Sequence, residues 1–110
     1  MAKAKLIATR PYERRIVKLL PPDERDRMET AVAINPEAHP IVPGTKGVRK
    51  ARWSLPGVGK RGGIRLIYYF WVEPNAVVLI TAYPKNEKEN LTDADKKEIR
   101  KLIESLKRDN

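Results

Sequence analysis

The sequence predicts an α+β fold, in which an N-terminal helical hairpin and a C-terminal helix pack on a small antiparallel β-sheet. The first observation is a change of hydrophobic periodicity, which is helical near both ends of the chain and strand-like in its middle. The second is composition, because 41% hydrophobic and 34% charged residues in a chain of 110 suit one folded core. We therefore expect a single domain over residues 1–110.

Two short helices are expected near the N-terminus. Apolar residues recur at helical spacing from Ile16 to Leu20, and Pro11 suits the first turn of such a helix. A second helix begins at Pro22, which acidic residues follow, and ends before Asn35 and a proline. Because the two helices are close in sequence, the pattern predicts a helical hairpin.

Three strands are expected in the middle of the chain. Apolar and polar residues alternate from Ala51 to Leu55, and apolar strands follow at 64–72 and 76–83. Short turns join the three strands, which predicts an antiparallel meander. We expect the helices on one face of this sheet and the other face free to bind.

The last helix is expected to begin at Thr92. Thr92 and Asp95 have the spacing of a capping box, and apolar residues follow at helical spacing from Ile99 to Leu106.

Positive charge is concentrated in one segment. Residues 46–65 contain no acidic residue and carry +7 of the formal net charge of +9. Such a patch attracts a polyanion such as RNA. The alternative is a charged surface that only keeps the protein soluble, but such surfaces normally mix both signs. The basic residues of the segment are Lys46, Arg49, Lys50, Arg52, Lys60, Arg61 and Arg65.

The composition argues against several chemistries. Cysteine is absent, which excludes disulfides, thiolate metal sites and cysteine nucleophiles. The one histidine, His39, lies in a proline-rich loop, so we expect no metal site and no Ser–His–Asp catalysis. Residues 57–60 lack the spacing of a phosphate-binding loop, and we expect a glycine-rich turn over residues 56–63 and no small-molecule cofactor.

No membrane segment is expected. The N-terminus lacks the apolar run of a signal peptide. The longest apolar stretch, 66–72, is far shorter than the roughly 20 residues that span a bilayer. We therefore expect a cytoplasmic protein.

Cleavage of RNA is the chemistry that the remaining residues support. The 2′-hydroxyl of RNA can attack the adjacent phosphate, provided that a site orients the strand and stabilises the developing negative charge. Cations supply that charge, and a lysine crowded by other cations has a lowered pKa and can act as a base. Tyr69, Trp71 and Tyr83 are candidates for stacking on an unpaired base, whereas Trp53 and Tyr68 are expected in the core.

Four short motifs in a fixed order carry a resemblance to a known family. They are GVRKARW at 47–53, GKRGGIRLIYY at 59–69, AYPKNE at 82–87 and Leu91–Thr92 at the start of the last helix. Over residues 43–106 the chain resembles the HigB branch of the RelE-like toxins. The resemblance implies the RelE fold and a ribosome-dependent endoribonuclease. Such an enzyme cuts mRNA in the decoding site of the 70S ribosome and is inhibited by a cognate antitoxin.

The resemblance also implies roles for individual residues. Arg65 matches the arginine that these toxins place on the central strand near the scissile phosphate, and Lys85 matches a basic position after the last strand. RelE has an arginine where this chain has Asn86 and a catalytic tyrosine where it has Leu91, so Tyr83 is the candidate for the phenol. The expected catalytic residues are thus Arg65, Lys60, Arg61, Tyr83 and Lys85, and the expected RNA-binding residues are Lys46, Arg49, Lys50, Arg52 and Asn86.

Two other functions stay open at this point. ParE-type toxins use the same fold to inhibit DNA gyrase, and a fold alone does not separate the two activities. The basic segment favours RNA, because gyrase inhibition requires a protein contact. A non-catalytic RNA-binding module would need only the basic segment. It predicts a graded, salt-sensitive loss of binding as cations are removed, whereas a nuclease predicts that Arg65→Ala abolishes cleavage.

Overall fold

A computed structural model of the protein describes residues 3–55 and 63–108. The elements are β1 (Lys5–Ala8), α1 (Arg10–Leu19), α2 (Pro22–Ile34), β2 (Arg49–Trp53), β3 (Ile64–Trp71), β4 (Ala76–Pro84) and α3 (Asp93–Arg108). The four strands of the described residues form one sheet in the order β1-β4-β3-β2.

The two N-terminal helices form as the sequence predicts. Thr9 caps α1, because its side-chain oxygen accepts a hydrogen bond from the backbone N–H of Tyr12 at 3.4 Å. A proline lies in the first turn of each helix, where its missing N–H has no intrahelical partner to lose. The inner faces of the two helices bury Tyr12, Ile16 and Met28.

The antiparallel meander is confirmed, but the sheet has one more strand. β2 pairs antiparallel with β3, and β3 pairs antiparallel with β4. β1, which the sequence pattern does not predict, lies parallel to β4 at the edge, so the sheet is mixed. β1 has only four residues, all exposed, and it pairs with residues far along the chain, so no local turn signal marks it.

The prediction that the helices cover one face of the sheet was wrong. α1 and α2 pack on one face, over Leu66 and Val77. α3 packs on the opposite face, where its Ile99 and Ile103 join a second apolar cluster with Ile67. The cause is that β3 and β4 are apolar on both faces, and an uncovered second face would expose a large apolar surface to water.

α3 begins with the predicted capping box. The backbone N–H of Thr92 donates to Asp95 Oδ2 at 2.9 Å, and the N–H of Asp95 donates to Thr92 Oγ1 at 3.1 Å. Further along the helix, Arg100 donates to the carbonyl oxygen of Gly44 at 2.7 Å, which fixes the loop before β2 against α3. Among the helices described here, none is long and apolar enough to cross a membrane.

Candidate active site

A row of three side chains crosses the sheet. Arg52 of β2 is the register partner of Arg65 of β3, and Arg65 is the partner of Tyr83 of β4. Arg65 lies between Ile64 and Leu66, which both pack under α1 and α2. Because side chains alternate along a strand, Arg65 lies on the face of α3, where Tyr83 also packs. Arg52, Arg65 and Tyr83 are named the central row below.

An irregularity in β4 brings Tyr83 into the central row. From the 72–75 turn to Tyr68, β3 and β4 pair without interruption, and Tyr68 pairs with Leu79. The next residue of β3, Ile67, pairs with Thr81, which leaves Ile80 as an extra residue in β4. Without this extra residue Arg65 would lie opposite Ala82, and Tyr83 would point to the other face of the sheet. The site therefore depends on this one-residue shift.

Thr9 contacts β4 at the register shift. Its hydroxyl oxygen lies 2.8 Å from the carbonyl oxygen of Leu79 and 3.0 Å from that of Ile80. Its backbone N–H also donates to the carbonyl of Leu79, at 3.1 Å. Because Thr9 caps α1 as well, the start of α1 and the register shift are fixed together.

Arg65 is a buried cation. The residue is only 5% exposed. Its Nε has no hydrogen-bond partner within the described ranges. Gly63 lets the guanidinium lie close to the backbone, because a Cβ atom at Gly63 would stand 3.1 Å from Arg65 Nη1. A buried charge is normally paired, so this geometry favours an anionic ligand at Arg65.

Tyr83 carries a second buried polar atom. The residue is 1% exposed. Its hydroxyl has no hydrogen-bond partner in the parts of the chain that the structure describes. Burial raises the pKa of Tyr83; the charge of Arg65 opposes this, and Asp95 and Glu89 add to it. The phenol therefore keeps its proton at neutral pH and can act as a proton donor.

Lys50 lies beside the central row. It is two residues from Arg52 on β2 and so lies on the same face of the sheet. Burial lowers the pKa of Lys50, and the charges of Arg52 and Arg65 lower it further, while Glu89 opposes them. Its Nζ donates to Asn90 Oδ1 at 3.2 Å. A lowered pKa leaves a larger fraction of Lys50 in the neutral form, which is the form that can accept a proton.

Two other cations of the basic segment lie away from the central row. Arg49 lies on the opposite face of β2 and donates to the carbonyl oxygens of Glu37 at 3.2 Å and His39 at 2.7 Å. Lys46 forms an ion pair with Glu104 of α3 at 3.2 Å. Each of these two cations therefore has a hydrogen-bond or ion-pair partner within the protein.

The remaining predicted site residues follow β4 or precede β3. The backbone N–H of Lys85 donates to the carbonyl oxygen of Gly63 at 2.9 Å, which keeps Lys85 beside the start of β3. Asn86 is exposed in the next turn. Lys60 and Arg61 lie outside the described residues.

The aromatic residues divide as follows. Trp53 and Tyr68 pack in the cluster under α1 and α2, as predicted, and each donates a hydrogen bond within the protein. Tyr69 and Trp71 pack against the cluster under α3, farther along β3. Tyr69 is four residues from Arg65, which is about 13 Å along a strand. Of the three candidates for base stacking, only Tyr83 belongs to the central row.

Sequence reasoning missed Asn90 and Lys96. Both line a groove together with Lys50 and Arg52. An amide or a lysine near the start of a helix has no distinctive sequence pattern, and its nearness to β2 depends on how α3 packs. Within residues 3–55 and 63–108, no three His, Cys, Asp or Glu side chains are close enough to hold a metal ion.

Comparison with known proteins identifies the class to which this fold and site belong, the toxin half of a toxin–antitoxin pair. Residues 43–109 match the family described as the RelE toxin of the RelE/RelB toxin–antitoxin system. Because the match spans more than half of the chain, the protein belongs to the RelE toxin family, and this membership implies an antitoxin partner.

The fold also matches a solved structure, that of a double arginine-to-alanine variant of the Escherichia coli toxin RelE in its free state. The TM-score is 0.53 at 21% sequence identity, and the match covers 80% of this chain and 90% of that chain. At this level of identity the likeness shows a shared fold.

Proposed function

We propose that residues 1–110 form one RelE-like toxin domain of the HigB-like branch. In this proposal the protein is a cytoplasmic, ribosome-dependent endoribonuclease that cuts mRNA without a metal ion and so inhibits translation. The observation that carries the proposal is the pair of buried polar atoms without partners, Arg65 Nε and Tyr83 Oη, on a face shared with Lys50. Together these residues provide a cation, a proton donor and a proton acceptor.

The proposed reaction is the attack of a ribose 2′-oxygen on its own phosphate. Lys50, in its neutral form, accepts the proton of the 2′-hydroxyl as the bond from oxygen to phosphorus forms. Arg65 stabilises the negative charge of the pentavalent phosphorane. Tyr83 donates its proton to the 5′-oxygen as the bond from phosphorus to that oxygen breaks. The products are a 2′,3′-cyclic phosphate and a free 5′-hydroxyl.

The pKa directions agree with the protonation states from which these two transfers start. Burial raises the pKa of Tyr83, so that the phenol is protonated before the reaction. Burial and the neighbouring cations lower the pKa of Lys50, so that a larger fraction of the amine is neutral. The same positive charges that assist Lys50 would also attract the phosphate.

Other cations are assigned supporting roles in this proposal. Lys85, beside the start of β3, adds positive charge near the scissile phosphate. Lys60 and Arg61 are assigned to the same phosphate from the family resemblance. The remaining residues proposed to contact the RNA strand are Lys46, Arg49, Arg52 and Asn86.

Ribosome dependence is proposed from the resemblance to the RelE-like toxins, and the geometry of the reaction is compatible with it. In-line attack requires the 2′-oxygen, the phosphorus and the 5′-oxygen to be aligned, and correct orientation alone accounts for a large part of such rate enhancements. A ribosome that holds the mRNA would supply this alignment. We also propose that the antitoxin covers the helices or the basic face with an acidic or amphipathic segment; a strongly basic partner without one would count against this.

The test is expression of the toxin in bacteria, followed by mapping of transcript 5′ ends with and without a translation block. The variants are the wild type, Arg65→Ala and the matched control Arg14→Ala, which removes an exposed arginine of α1. New 5′ ends should appear inside reading frames, should require translation and should be lost only in Arg65→Ala.

Other outcomes would overturn the proposal in a defined way. Growth arrest with intact transcripts would exclude RNA cleavage and make gyrase inhibition the next activity to assay. Unchanged growth and unchanged RNA would favour a non-catalytic RNA-binding module. In that case the loss of RNA binding should be graded over the cations and should depend strongly on salt.

A further inference from the structure

A groove opens beside the central row. Its volume is about 300 Å³. The 40–43 segment and Leu91 form its apolar walls, and Lys50, Arg52 and Lys96 lie around it. This volume is at the lower end of the range for small-molecule sites, roughly 300–1,000 Å³, so it suits a single nucleotide unit.

The position and charge of the groove favour RNA as its occupant. Lys50 and Arg52 belong both to the groove and to the site around Arg65, so the two are continuous. A strand with its scissile phosphate at Arg65 would therefore place a neighbouring nucleotide in the groove. Lys96 adds positive charge for a backbone phosphate, and the apolar walls suit the flat face of a base.

Asn90 is placed to contact the edge of that base. It lines the groove, and its Oδ1 accepts the hydrogen bond from Lys50 Nζ at 3.2 Å. Because an N–H of Lys50 donates to Asn90 Oδ1, the carbonyl end of the amide faces Lys50 and its two N–H groups remain as donors. A donor pairs with a keto oxygen, O6 of guanine or O4 of uracil, whereas adenine and cytosine present an amino group there.

We infer that the groove binds the base of a nucleotide next to the scissile phosphate and that Asn90 selects guanine or uracil at this position. The inference rests on the proposed function, because the central row must hold the scissile phosphate. In this inference Asn90 is a specificity-determining residue for the proposed RNA cleavage.

The experiment uses ribosome complexes programmed with mRNAs that carry each of the four bases at each nucleotide flanking the cut. One readout is the cleavage rate. The other is retention of the toxin on the same complexes when a 2′-O-methyl group at the cut position prevents attack. Asn90→Asp replaces the amide donors by acceptors, and Asn35→Asp makes the same change at an exposed position after α2.

The wild type and Asn35→Asp should prefer guanine and uracil at one flanking position by about three- to tenfold, the effect of one hydrogen bond. Asn90→Asp should lose this preference and shift towards adenine and cytosine. Equal base preferences in the wild type and Asn90→Asp would overturn the inference, whether or not the mRNA is cut. Retention that depends on Asn90 without cleavage would support the groove and overturn the nuclease, and absence of both retention and cleavage would overturn both.

Discussion

Arg65 and Tyr83 lie opposite each other on β3 and β4 because β4 contains one extra residue, Ile80. The shift turns the Tyr83 side chain from the face under α1 and α2 to the face under α3. Thr9 stabilises the shift through the carbonyl oxygens of Leu79 and Ile80. A residue at the start of α1 thus positions the phenol of the proposed active site.

Thr9→Val should strongly reduce the cleavage rate but only modestly lower the free energy of unfolding. Valine has nearly the same shape but lacks the hydroxyl, so the irregular point of β4 loses its side-chain hydrogen bonds, and α1 loses its cap. The free energy of unfolding should fall by about 1 kcal/mol, the usual effect of a lost N-cap. Denaturant unfolding and the cleavage rate measure the two effects. Thr9→Ser keeps the hydroxyl and should retain cleavage; a wild-type rate in Thr9→Val would contradict the positioning role.

Tyr83→Phe should lower the cleavage rate and leave stability nearly unchanged. The hydroxyl of Tyr83 has no hydrogen-bond partner in the described residues, so its removal breaks no bond there. Loss of a general acid typically costs about a hundredfold or more in rate. Single-turnover cleavage and thermal unfolding test the two parts. A variant that unfolds early, or one that cleaves at the wild-type rate, would show that Tyr83 is only a core residue.

Arg65→Met should stabilise the protein while it abolishes cleavage. The substitution keeps an unbranched, flexible side chain and removes a charge that is 5% exposed and has an unpartnered Nε. Because desolvation of a poorly paired charge is unfavourable, the free energy of unfolding should rise by about 1 kcal/mol. Denaturant unfolding measures the change, with Arg14→Met as the exposed control. Strong destabilisation would mean that Arg65 has a structural rather than a ligand-binding role.

Arg52→Gln should raise the pKa of Lys50. The charge of Arg52 disfavours the protonated amine, so its removal favours that form and the pKa moves up towards the ordinary lysine value of about 10.4. If neutral Lys50 accepts the proton, the rising limb of the pH–rate profile should move to higher pH. NMR titration of the Lys50 ε-carbon checks the pKa without an activity assay. Arg14→Gln should leave both measurements unchanged, and an unshifted Lys50 in Arg52→Gln would refute the coupling.

The helices and the meander could be predicted because their signals are local. Pro22 and the acidic residues after it begin α2, and the Thr92–Asp95 spacing correctly predicted the cap of α3. β1 could not be predicted in this way, because its pairing with β4 joins distant parts of the chain. The side of the sheet that α3 covers is also non-local, since it depends on both faces of β3 and β4 being apolar.

The candidate site could be predicted only in part. Motifs and chemistry indicate Arg65 and Tyr83, but the pairing of the two residues depends on the extra residue at Ile80, which no turn or periodicity signal marks. If β4 lacked this extra residue, uninterrupted pairing from the 72–75 turn would place Ala82 opposite Arg65. Asn90 could not be found from the sequence, because its contact with Lys50 exists only after α3 has packed against the sheet.

The most direct test of the central claim is cleavage of an mRNA on programmed ribosomes with a single 2′-deoxynucleotide at the cut site. Attack by the 2′-oxygen predicts no cleavage of this mRNA. The matching all-ribose mRNA should give a 2′,3′-cyclic phosphate and a 5′-hydroxyl end. Cleavage of the deoxy-substituted mRNA at the same position, or a 5′-phosphate product, would contradict the mechanism built on Lys50, Arg65 and Tyr83.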